Sequence, residues 1–166
     1  MPDHIELAAR ALLNTIDEWI AAFQRPTSEL KEHTTAQMQY TAIATMLRSV
    51  GHVFAKVDCQ TASRDAWAKR EWSTFKEEPI FKDFIDYNRN LLLKEYRGAL
   101  QLGDRGMKVG AVSIDLSLPG DVRRHVDLRP EEIVAPNGRA ALPQFQEAVR
   151  FWNRYLSEAE REFHKL

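Results

Sequence analysis

From Ile5 to Phe23 the apolar residues Ile5, Ala9, Leu12, Ile16, Trp19, Ile20 and Phe23 return every three or four positions, which lays them along one stripe of a helix. Arg25-Pro26-Thr27-Ser28 then ends that pattern. A second stripe, Ala36, Tyr40, Ile43, Leu47, Val50, Phe54 and Val57, alternates steps of four and three, with Thr34 or Thr35 in place as a cap. A third helix over 63–78 leans on Trp67, Trp72 and Phe75. Pro79 fits the first turn of a fourth helix better than the interior of a long one, because proline lacks the N–H that an internal turn uses. That fourth helix carries Phe81, Phe84, Ile85, Asn88, Leu91 and Leu92 and ends near Gly98. The period then changes. Val112, Ile114, Leu116 and Leu118 alternate with small or polar residues, as in a half-buried strand, and Pro119-Gly120-Asp121 turns the chain into Val122–Leu128. Asn137-Gly138 marks another turn, and Pro143 suits the first turn of a last helix whose stripe is Leu142, Phe145, Val149, Trp152, Leu156, Ala159 and Phe163.

The expected fold is mainly all-α: an antiparallel bundle of four to five helices over 5–23, 35–58, 63–78, 79–97 and 143–164, in a single domain spanning 1–166, with a small β-hairpin over 109–128 inserted before the C-terminal helix. A chain of 166 residues with 44% hydrophobic and 28% charged side chains can bury a real core. A net charge of −1 argues against a whole-surface polyanion binder and leaves room for a local basic patch. The lone Cys59 allows neither an intramolecular disulfide nor a cysteine-based zinc site within one chain, and it fits a reducing, cytoplasmic setting. The N-terminus shows no basic start followed by a continuous apolar core. No apolar run approaches the roughly 20 residues of a membrane helix, so no membrane partner is expected.

Candidate chemistry gathers in Tyr87-Asn88-Arg89-Asn90-Leu91-Leu92-Leu93-Lys94-Glu95-Tyr96, where polar groups enter the apolar end of the fourth helix. On a helix Arg89 and Tyr96 nearly eclipse, while Asn90 and Lys94 are one turn apart. Arg and Lys in such a cluster can hold a phosphate, with Asn and Tyr supplying oriented hydrogen bonds. The same spacing also describes a solvated helix end in which Glu95 pairs locally. Arg48 and His52 lie one turn apart on the second helix and can face this cluster across the bundle, although a lone histidine is more often a structural hydrogen-bonding residue.

The run Arg89-Asn90, three residues, Lys94, one residue, Tyr96 resembles the motif of HEPN-type helical domains, in which Arg, often followed by Asn, precedes a His and a Tyr near the end of a bundle helix. Pro79-Ile80-Phe81-Lys82-Asp83-Phe84-Ile85 and Leu47-Arg48-Ser49-Val50 also resemble uncharacterised bacterial HEPN-like proteins with Lys-Glu after the Arg-Asn; the likeness runs from about Ala36 to Tyr96. In active members the Arg and His form a metal-independent ribonuclease site, usually completed across a homodimer. Here Lys94 stands in the place of that His. A ribonuclease needs a group that trades protons near neutral pH, which His does and an ordinary Lys, with a reference pKa of about 10.4, does not.

The resemblance therefore implies a homodimeric binding or regulatory module for nucleic acid or nucleotide, without catalysis, using Arg89, Asn90, Lys94 and Tyr96; Arg48 and His52 join the candidates on their helical spacing. Arg89, Lys94, Arg97, Arg105 and Lys108 against Glu95 and Asp104 leave a local excess of three positive charges. A divergent ribonuclease using Arg89 with Lys94 or His52 is the enzymatic alternative, and a structural protein–protein interaction domain is the third. No cofactor is expected. No metal is expected either: Asp121 and His125 are near each other, but no metal-ligating helical motif accompanies them. Ser49-Val50-Gly51 lacks the strand-to-helix elbow of a nucleophilic serine, and Gly103-Asp104-Arg105-Gly106 reads as a turn. Trp67, Trp72 and Trp152 read as core or interface anchors.

Overall fold

A computed structural model describes residues 6–24, 32–94, 108–109, 112–113 and 134–165. The architecture is all-α, as the periodicity predicts. Helix α1 covers Ala8–Phe23 and α2 covers Glu32–Val53, running on through a π turn, Phe54–Asp58. Helix α3 covers Ala62–Phe75; a second π turn, Phe81–Asp86, leads into α4, Tyr87–Lys94; α5 covers Ala141–Phe163. Pro79 opens the helical run before α4, where its missing N–H costs nothing. Two two-residue strands, β1 (Lys108–Val109) and β2 (Val112–Ser113), pair antiparallel with Lys108 opposite Ser113. The hairpin expected about Pro119-Gly120-Asp121 lies outside the described residues.

The stripes read from sequence are buried with informative exceptions. Ala9, Leu13, Ile16, Ile20 and Phe23 of α1 turn inward, while Trp19 is 40% exposed. Tyr40, Ile43, Leu47, Val50 and Phe54 are buried, but Val57 is 53% exposed, contrary to its place in the stripe. The cause is the π turn: Cys59 N–H bonds the Phe54 carbonyl five residues back, and the widened turn delays the return to the core by one residue, from Val57 to Asp58. Helix α2 already starts at Glu32, which puts Thr34 and Thr35 inside it and not at the expected cap position.

Helix α5 is the structural centre, with Phe145, Ala148, Val149, Phe151, Trp152, Tyr155, Leu156, Ala159 and Phe163 all buried. Trp152 stacks on Trp72 of α3 (5.7 Å, 7°) and meets Phe81 edge-on, while Phe163 stacks on Phe54 (5.9 Å, 10°). Gly51 allows α2 to approach this helix: a Cβ there would lie 2.7 Å from Trp152 Cη2. A mid-helix glycine costs about 1 kcal/mol of helix propensity, so the close approach explains its presence.

Several polar contacts fasten the helices. The Tyr40 hydroxyl donates to Asn88 Oδ1 (2.8 Å), and Asn88 Nδ2 donates to the Phe84 carbonyl (2.7 Å), so a 1%-exposed asparagine in the α4 stripe has both ends satisfied. Burial holds the Tyr40 hydroxyl protonated, well above the usual tyrosine range. Arg10 of α1 meets Glu160, Asn153 and Ser157 of α5. At the start of α1, where Leu7 offers no capping side chain, the Asp58 carboxylate accepts from Ala8 N–H (2.8 Å) and Ala9 N–H (3.0 Å). Before α5, Gly138 takes a positive φ of 80° in the Asn137-Gly138 turn, and Asn137 Nδ2 donates to the Asp83 carbonyl.

Candidate anion-binding site

The π turn before α4 ends at Asp86, which puts its carboxylate one helical turn ahead of Asn90. Asn90 Nδ2 donates to Asp86 Oδ2 (3.1 Å), and Arg89 Nη1 donates to Asn90 Oδ1 (3.4 Å). From α2, Arg48 Nε lies 3.5 Å from Asp86 Oδ1, with both side chains about one-third exposed. Arg48, Asp86, Asn90 and Arg89 thus form one string across α2 and α4, holding two guanidinium groups about one carboxylate and one amide. Arg48 also lies over the Phe81 ring, 5.6 Å from its centroid. Its Nε is buried and points at no acceptor with hydrogen-bond geometry, so the Asp86 contact is an ion pair without an aligned hydrogen bond.

Of the residues singled out from sequence, Arg48, Arg89 and Asn90 meet in this string. The side chains of Lys94 and Tyr96 lie outside the described residues, as do Asp121, His125 and Gly103-Asp104-Arg105-Gly106. Asp86, which joins the two helices, was not among the candidates. Its signal in the sequence is its spacing of four from Asn90; its approach to Arg48 depends on the packing of α2 against α4.

His52 sits one turn beyond Arg48, exposed, on the wall of a groove of about 380 Å³ between α2 and α3. Arg48, Gly51, His52, Ala55 and Lys56 form one wall, and Asp65, Ala68, Lys69 and Trp72 form the other. Phe54 and Tyr155 also line it. Lys69 Nζ bonds Asp65 Oδ2 (2.7 Å), a pair within α3. Among the described residues no hydrogen bond joins His52 to Arg89 or Asn90. Trp67 and Trp152 are buried core residues, whereas Trp72 keeps part of its surface in the groove.

Cys59 has no place in this chemistry. Burial, reinforced by the neighbouring Asp58 and Asp65 carboxylates, pushes its thiol up to about 12. The thiolate is the reactive form and is scarce near neutral pH, so folded protein is expected to resist iodoacetamide there while denatured protein reacts readily. Mass spectrometry of the alkylated protein checks this, and rapid native labelling would contradict the burial. Among the described residues no group of three His, Cys, Asp or Glu side chains is placed to hold a metal ion. None of their helices is long and apolar enough to cross a membrane. No protein-family profile, curated protein or solved structure matches the chain.

Proposed function

We propose that this chain is a HEPN-like, non-catalytic, homodimeric module that binds single-stranded RNA through its phosphates, with Arg89 and Arg48 as the anion contacts. The observation that supports this most is the Arg48–Asp86–Asn90–Arg89 string, in which guanidinium groups from different helices are tied to one another through a carboxylate and an amide. Planar guanidinium groups suit bidentate phosphate recognition, and holding them in advance reduces the ordering cost of binding. Asp86 and Asn90 act as positioning residues. The role assigned to Lys94 follows the motif: without the family's His, it adds charge and no proton transfer near neutral pH.

Fluorescence anisotropy of a labelled single-stranded RNA tests this reading. Arg89→Ala is expected to weaken binding about tenfold, corresponding to roughly 1.4 kcal/mol, and to flatten the dependence on salt. Equal binding by wild type and variant would remove Arg89 from the interface. Electrophoresis of the same RNA after incubation addresses catalysis, since Arg89-dependent cleavage would favour the ribonuclease alternative.

A further inference from the structure

We propose that the groove between α2 and α3 is a site for a single nucleoside monophosphate, with the phosphate among Arg48, His52 and Lys56 and the base against Trp72. The proposal deepens the RNA-binding reading by naming the unit recognised; it rests on different residues apart from Arg48.

The groove follows from helical spacing. Residues 48, 51, 52, 55 and 56 share one face of α2 as it enters the π turn, and 65, 68, 69 and 72 share one face of α3. On each face the middle positions are small, Gly51 and Ala55 opposite Ala68, while long charged side chains stand at the edges. Small residues between two helices leave a slot, and its volume of about 380 Å³ falls in the range of ligand pockets. Arg48, Lys56 and Lys69 against Asp65 leave an excess of two positive charges. Lys69 is engaged by Asp65 and Arg48 Nε by Asp86, so among the described residues Lys56 is the cation of the slot without an ion pair, with Arg48 beside it on the same wall. Trp72 is fixed by its stacking with Trp152 and its edge contacts with Phe81 and Tyr155, and the part of the indole that remains accessible lines the slot. A cationic edge beside a fixed aromatic surface matches an anion attached to a flat ring, and bases stack on such side chains regardless of their identity. A nucleoside monophosphate has both parts, either free or as the phosphorylated end of an RNA.

Titration with AMP, followed by intrinsic tryptophan fluorescence, tests the proposal, with inorganic phosphate as the comparison probe. Saturable quenching by AMP is expected, with affinity about tenfold above that for phosphate. Lys56→Glu, at an exposed position, is expected to reduce AMP affinity at least tenfold while leaving the thermal unfolding transition in place. Equal affinity for AMP and phosphate overturns the base contact. Absence of AMP binding, or binding indifferent to Lys56→Glu, overturns the site. Competition separates the two sources of the ligand: displacement of a 5′-phosphorylated oligonucleotide but not its 5′-hydroxyl counterpart supports an RNA end, and displacement of neither supports a free nucleotide. The two readings fail separately. Loss of RNA binding in Arg89→Ala with AMP binding intact supports both, whereas Arg89-dependent RNA binding without AMP binding leaves the RNA reading and removes the groove.

Discussion

Replacing Trp152 with alanine is expected to destabilise the protein by about 4 kcal/mol, within the range of roughly 3–5 kcal/mol typical of large aromatic deletions in cores. The indole is fully buried, stacks on Trp72 and meets Phe81, Phe151 and Tyr155 edge-on, so it joins α3, the π turn before α4 and α5. Its Nε1 is buried and has no hydrogen-bond partner, which means that the loss is one of packing alone. Against a total stability of about 5–15 kcal/mol, such a loss is large. Equilibrium denaturation should show a lower midpoint at an unchanged slope. A cost below about 1 kcal/mol would show that the cluster is loosely packed, contrary to the contacts described. Gly51 supplies an internal control. A Cβ there strikes Trp152 at 2.7 Å, so Gly51→Ala should destabilise the wild type. In the Trp152→Ala background that clash is gone, and the same substitution should gain up to about 1 kcal/mol of helix propensity.

The helices were legible because each carries a local signal: apolar steps of three and four, Pro79 at one start, Pro143 in the first turn of α5, and Asn137-Gly138 at the turn before it. The two π turns have no comparable signature. Val57 and Asp58 exchange places because one extra residue enters the turn after Phe54, and a strict continuation of the stripe assigns them the other way. Trp19 joins the α1 stripe by its spacing of three from Ile16, yet its neighbour Ile20 already fills the inward position. The site was legible where it lay on one helix. Arg89 and Asn90 stand out as polar residues in an apolar setting, and Arg48 with His52 as a pair one turn apart. What a single helix cannot display is a partner from another element. The approach of Arg48 to Asp86, and the opposition of the α2 and α3 faces about Gly51, Ala55 and Ala68, depend on packing between separate elements. The motif from Arg89 to Tyr96 draws attention to α4, and none of its residues lies on α3, which carries the other wall of the groove.

Asp58→Ala is expected to cost about 3 kcal/mol, although the residue sits 50 positions from the helix it serves. Helix α1 begins after Leu7, whose side chain offers no acceptor, and its first N–H groups have no partners within the helix. Asp58, 8% exposed at the close of the π turn, brings both carboxylate oxygens to Ala8 and Ala9. Each is a hydrogen bond to a charged acceptor, worth roughly 1.5–3 kcal/mol, and the carboxylate also complements the positive end of the helix. Alanine removes both acceptors and leaves the N–H of fully buried Ala9 without a partner. Asparagine keeps one acceptor but turns an NH2 toward the second N–H, so Asp58→Asn should recover only part of the loss. Hydrogen exchange locates the effect. In Asp58→Ala, amide protection should fall first at the start of α1 while α5 retains most of its own. Uniform loss of protection would mean that the contact stabilises the bundle as a whole and not this helix start. A stability equal to wild type would mean that water satisfies both donors as well as the carboxylate does.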